Sequence, residues 1–141
     1  LSLHDEIVDA LPQLRAAAES LMTDMVEIRR NTSNKVDSET GLVISSYKTI
    51  YKGRGKVQSV GSQETETVLA SGGNTSLGGK IPSWQIRLDL PYGTDSVNMN
   101  DEAIIIDSVN LGLVGRKFRL MNWQSEKTYP TADRWWVQET V

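Results

Sequence analysis

A mainly β protein, folded as a small antiparallel β-barrel or sandwich of about six strands behind one N-terminal amphipathic helix, is predicted by three features of this 141-residue chain. Leu3, Ile7, Leu11, Leu14, Ala18 and Leu21 recur at spacings of four, four, three, four and three, which draws one apolar stripe on a helix. In residues 84–90 the period changes to two: Trp84, Ile86, Leu88 and Leu90 share one face, while Gln85, Arg87 and Asp89 share the other. Further short apolar segments follow, with turn residues and no helical periodicity between them, which excludes a parallel α/β sheet.

The helical segment occupies residues 1–23. Ser2 is placed to cap it, and Asp5 and Glu6 suit the positive end of the helix dipole. Pro12 has no N–H to donate, so a kink or two short helices are expected. The stripe either packs on its own barrel or docks across a subunit boundary.

Strands then fill residues 24–141, which form one domain with the helix. Val26 and Ile28 alternate with Met25, Glu27 and Arg29, and the polar run 31–41 reads as a long turn. Residues 42–51 and 56–60 are two strand segments separated by Gly53-Arg54-Gly55. Ile104, Ile105 and Ile106 form a fully apolar run, Phe118 and Leu120 alternate with Lys117 and Arg119, and Trp135 and Val137 belong to the last strand. Trp84 and Trp135 fall on core faces. Trp136 points the other way, as an interface anchor or as a rim residue under the helix. Residues 61–79 contain five glycines, several Ser and Thr and no positive charge, so they read as a long loop, functional or disordered.

Chemistry-bearing patterns are sparse. Without cysteine the chain has neither disulfides nor thiolate metal sites. His4, the single histidine, has no serine or carboxylate constellation around it, and no Gly-x-Ser-x-Gly run occurs. Gly55-Lys56 and Gly79-Lys80 lack the preceding glycine and the following Ser or Thr of a phosphate loop. The acidic groups at Asp37 and Glu39, and at Asp95, Asp101 and Glu102, do not have EF-hand spacing and read as polar turns. No catalysis, cofactor or metal is expected. No segment reaches the ~20 apolar residues of a membrane span.

The net charge of −3 argues against a general nucleic-acid binder, but its distribution is uneven. Residues 1–23 carry −3, residues 24–60 carry +3, residues 61–79 carry −2 and residues 80–141 carry −1. A helix of one sign and a strand region of the other suit complementary contacts between neighbouring subunits.

Several short runs carry a resemblance. They are Leu21-Met22-Thr23-Asp24, Val26-Glu27-Ile28, Asp37-Ser38-Glu39-Thr40-Gly41, Tyr51-Lys52-Gly53 before Lys56-Val57-Gln58, the segment from Leu113 through Gly115 to Arg119, and the closing Arg134-Trp135-Trp136-Val137-Gln138-Glu139. Together they resemble the head-to-tail stopper, or head-closure, proteins of long-tailed phages of actinobacteria, over nearly the whole chain. The resemblance implies a virion protein of the head–tail connector, assembled in the host cytoplasm. It would form a homo-oligomeric ring of six or twelve copies, with the portal and adaptor above, the tail terminator or tail tube below and packaged duplex DNA in the lumen. Residues 61–79 are longer than the corresponding connection in such proteins. In a ring, a loop of this length from each copy would narrow the lumen, with Glu64 and Glu66 repelling phosphate and Val68, Leu69 and Leu77 meeting neighbouring copies or rings. Arg54, Lys56 and Trp136 are the candidate interface residues. An adaptor or tail-completion subunit, and a monomeric barrel binding an oligonucleotide or sugar through aromatics, are the alternatives.

Overall fold

The computed structural model describes residues 2–69, 76–124 and 126–140. Among the described residues helix α1 (Leu3–Ser20) precedes six strands, β1 (Asp24–Val36), β2 (Val43–Leu69), β3 (Ser76–Pro91), β4 (Glu102–Asp107), β5 (Lys117–Trp123) and β6 (Ala132–Thr140), with a 3₁₀ turn at Leu111–Leu113 before β5. The strands close into an antiparallel barrel in the order β1-β2-β3-β6-β5-β4, so the mainly β expectation with one leading helix holds.

Ser2 caps α1 as a capping box: its Oγ accepts from the Asp5 amide, and the Asp5 carboxylate returns to the Ser2 backbone. The helix runs through Pro12 as one element rather than two. Pro12 and Val8, whose carbonyl the missing N–H would have met, are both exposed, so water can take the freed acceptor. α1 packs against β3 and β6 where β3 ends and β6 begins. Arg15 donates to the Pro130 carbonyl (3.1 Å) and lies 3.6 Å over the Tyr92 ring, and His4 Nδ1 is 2.7 Å from the Tyr129 hydroxyl.

The barrel core follows from alternation. Val26 and Ile28 of β1, Leu88 and Leu90 of β3, Ala103 and Ile105 of β4, Phe118 and Leu120 of β5, and Trp135 and Val137 of β6 are buried and form one cluster. Only Ile105 of the three consecutive isoleucines is buried; Ile106 is exposed. Trp84 lies outside the residues whose side chains are described.

Three turn or break assignments change. The polar residues 31–36 continue β1, pairing from Asn31↔Tyr47 to Val36↔Val43, and the turn is confined to residues 37–42. Asp37 closes that turn: its carboxylate accepts from the Glu39 amide and the Thr40 hydroxyl, and Gly41 takes φ +70°. Gly53-Arg54-Gly55 is not a break either, because β2 runs straight through it and changes partner there, from β1 (up to Gly55) to β3 (from Lys56). Gly55 is required by crowding, since a Cβ at that position would stand 2.6 Å from Val26 Cγ2 and 3.4 Å from the Asp89 carbonyl.

The largest correction concerns the expected loop at 61–79. Residues 61–69 belong to β2 and residues 76–79 to β3, and they pair with each other from Gly61↔Trp84 to Leu69↔Ser76. Backbone hydrogen bonding builds this ladder, and Thr65, Thr67 and Val68 favour it as β-branched residues. Residues 70–75, the rest of that expected loop, lie outside the described residues.

Candidate interface on the outer face of β2, β3 and β6

Because Val57, Leu88 and Trp135 face the core, the residues between them face outward. Register aligns two rows of them. Lys56, Asp89 and Arg134 are direct partners across β2, β3 and β6, and Gln58, Arg87 and Trp136 form the next row along the same face. Asp89 is the centre. Arg87 holds its carboxylate by two bonds, Nε to Oδ1 at 2.7 Å and Nη2 to Oδ2 at 3.2 Å, while Lys56 Nζ approaches to 3.6 Å and Arg134 Nε to 3.8 Å. The carboxylate is buried although it points outward, because these long cationic side chains cover it. Arg87 also reaches Gln58 Oε1 at 3.1 Å.

Three cations around one carboxylate leave the face positive. It adjoins a cleft of about 610 Å³ lined by Arg87, Gln124, Glu126, Lys127 and Arg134, which adds one charge of each sign. A surface of this kind suits an acidic protein segment or a phosphate chain, through charge-assisted hydrogen bonds from the guanidinium groups.

Two of the three residues expected at an interface therefore meet on one face: Lys56 in the first row and Trp136 in the second. Arg54 is exposed two residues before Lys56, where β2 still pairs with β1. Trp136 is only half-buried rather than open, and Trp123 is the more exposed indole. Glu64, Glu66, Val68 and Leu69 stand on β2 and Leu77 on β3. Val68 and Leu77 are direct register partners, Glu64 pairs with Ile81, and Glu66 pairs with Gly79. Sequence reasoning missed Asp89, Arg87 and Arg134 as a group. The available signal was the pair of opposite charges two apart on the outer side of the clearest strand.

A second buried carboxylate, Asp133, sits beside Arg134 at the start of β6. Asp133 accepts from the Gly93 amide at 3.0 Å and the Thr94 amide at 2.9 Å, which ties the turn after β3 to the start of β6. Burial pushes its carboxyl above the usual range, and Asp95 nearby adds to the rise, against the lowering effect of the two amides. Asp101, also buried, is held by Arg30 through Nε at 2.9 Å and Nη2 at 3.0 Å, and it accepts from the Asn98 amide.

Fold and face together define a small six-stranded antiparallel barrel with a leading helix and a cationic outer sheet face. Residues 14–138 match the model of a family described as a family of unknown function (DUF6093), and the chain belongs to that family. No curated protein and no solved structure matches it.

Proposed function

We propose that this protein is a structural subunit of a phage head-to-tail connector, a stopper that forms a ring, keeps packaged DNA in the head and offers a docking surface to the tail. The observation that carries the reading is the β2–β3 arm. Among the described pairings β3 meets β6 only over residues 86–91, so residues 76–85 are paired there with β2 alone. Ten residues at about 3.3 Å each give a two-stranded arm on the order of 30 Å long. The arm carries Glu64 and Glu66 against Lys80, the register partner of Thr65, a net charge of −1. In a ring of six or twelve copies, such arms would narrow the lumen and repel duplex DNA by charge, a steric and electrostatic action that needs no catalysis. The positive face around Lys56, Arg87 and Arg134 would serve the contacts with the adaptor above or the tail below.

Nuclease protection tests the reading. DNA-filled heads carrying portal and adaptor but lacking this chain should lose their DNA to added nuclease, and adding the chain should protect it. Heads equally sensitive with and without the chain would overturn the proposal.

One observation favours a second reading. Trp136 beside Arg87, Lys56 and Arg134 is also the arrangement of a barrel that stacks and neutralises a single-stranded oligonucleotide. Micromolar, salt-sensitive binding of short single-stranded DNA, lost in Trp136→Ala, would support it over the connector.

A further inference from the structure

A second charged row crosses the far side of the barrel, where β4 stands opposite β3 in the closed strand order. Register makes Thr49, Arg29, Glu102, Arg119 and Gln138 successive partners over β2, β1, β4, β5 and β6. The last four face outward, since their chain neighbours Ile28, Ala103, Phe118 and Val137 belong to the core. Two cations here share one carboxylate. Arg29 holds Glu102 through Nε at 2.8 Å and through Nη2, and its guanidinium lies 3.9 Å over the Tyr47 ring. That pairing fixes Arg29 and leaves its Nη1 without an acceptor among the described residues. Arg119 is exposed and has no hydrogen-bond or ion-pair partner among them. The adjacent row does not cancel the surplus, because its Lys52 and Lys117 outnumber Glu27.

A concavity of about 240 Å³ opens at this row, lined by Arg29, Asn31, Tyr47, Asn100, Glu102 and Arg119. Asn31 is turned to Asn34, to whose Oδ1 its Nδ2 donates. Asn100 takes a left-handed backbone, φ +72°, and its amide on the Leu120 carbonyl at 2.8 Å holds it beside β5. Its side chain has no hydrogen-bond partner among the described residues. Donors without acceptors of their own therefore line one space from three elements: Arg29 from β1, Arg119 from β5 and Asn100 from the loop between β3 and β4.

We infer that this pocket binds a phosphate group. Its volume lies below the roughly 300–1,000 Å³ of sites that enclose a drug-sized ligand, so a single small group fills it. The row keeps one positive charge after Glu102 is counted, which makes that group an anion. A carboxylate is planar and is best served by one guanidinium in its own plane. Donors converging from three elements instead match the oxygens of a tetrahedral anion. The inference is independent of the ring reading, because it concerns a different face and needs only one copy.

NMR titration of the full chain tests it. Inorganic phosphate at constant ionic strength should give saturable shifts centred on Arg29, Asn100, Glu102 and Arg119, and acetate should bind about tenfold more weakly. Arg119→Gln should weaken phosphate binding about tenfold, and Arg119→Lys, which keeps the charge but loses the planar fork, by less. Asn100→Gly suits the left-handed backbone, so it should fold and still bind phosphate less tightly than wild type. Dimethyl phosphate separates the sources, because it carries the single charge and two esterified oxygens of a polynucleotide backbone. Binding of both probes supports a pocket for a backbone phosphate, and binding of inorganic phosphate alone supports a pocket for a free or terminal one. Acetate binding as tightly as phosphate overturns the choice of ligand. Shifts spread evenly over this face and the Asp89 face, and unchanged in Arg119→Gln, overturn the site.

Discussion

Arg87 and Asp89, two residues apart on the outer side of β3, form a two-point ion pair whose carboxylate is 2% exposed. Lys56 and Arg134 flank it from the neighbouring strands, so one side chain ties three strands together just outside the core. Asp89→Ala would leave three cations facing one another without their shared counter-charge. The expected loss is about 3 kcal/mol, near the low end for breaking a buried pair, because the cations retain partial contact with water. Urea denaturation checks it, and a loss below about 1 kcal/mol would show that the cluster contributes charge and not stability.

Gly55 marks the position where β2 changes partner. In Gly55→Ala the new methyl would meet Val26 Cγ2 and the Asp89 carbonyl, so Val26 or the strand must shift. A destabilisation of about 1–3 kcal/mol is expected from overpacking. Gly41→Ala should act differently, with open space around its Cβ but strain from φ +70°. Thermal melts of the two variants give the comparison.

Leu88 is fully buried at the centre of the core. Leu88→Ala should cost about 2–5 kcal/mol, and Leu88→Asp should prevent folding by burying an unpaired charge. A soluble, cooperatively melting Leu88→Asp protein would contradict the placement of β3.

Asp133 supplies a pH signature. Its folded carboxyl holds a proton more tightly than the unfolded chain's does, so its contribution to stability is fully present below the ordinary carboxylate range. That contribution is lost as pH rises through the elevated value. Asp133→Asn cannot ionise yet keeps an oxygen for the Gly93 and Thr94 amides. The melting temperature of Asp133→Asn relative to wild type should therefore become more favourable between about pH 3.5 and about pH 7. A flat difference across that interval would show that burial does not disfavour the Asp133 charge.

What could be read from the sequence was what depends on apolar periodicity. Leu88 and Leu90, Val26 and Ile28, and Phe118 and Leu120 all alternate as expected and all reach the core. The misread stretches were those whose structure comes from the backbone. Residues 31–36 and 61–69 pair through amides and carbonyls with little apolar pattern to announce it. Gly53 and Gly55 look like a break, yet they lie within a strand: Tyr51 turns its hydroxyl to the Arg54 carbonyl past Gly53, and Val26 crowds Gly55. The candidate face was half legible. Lys56 and Trp136 stood out singly, whereas the Asp89 cluster depends on a register across three strands that composition does not reveal.

For the proposed connector role, the most direct measurement is the native mass of the complex formed when the chain is added to the portal and adaptor rings of the phage that would encode it. The account predicts a mass gain of six or twelve copies of the 15.7 kDa subunit, with no stable partial ring. No mass gain, or a gain of a single copy, would contradict it.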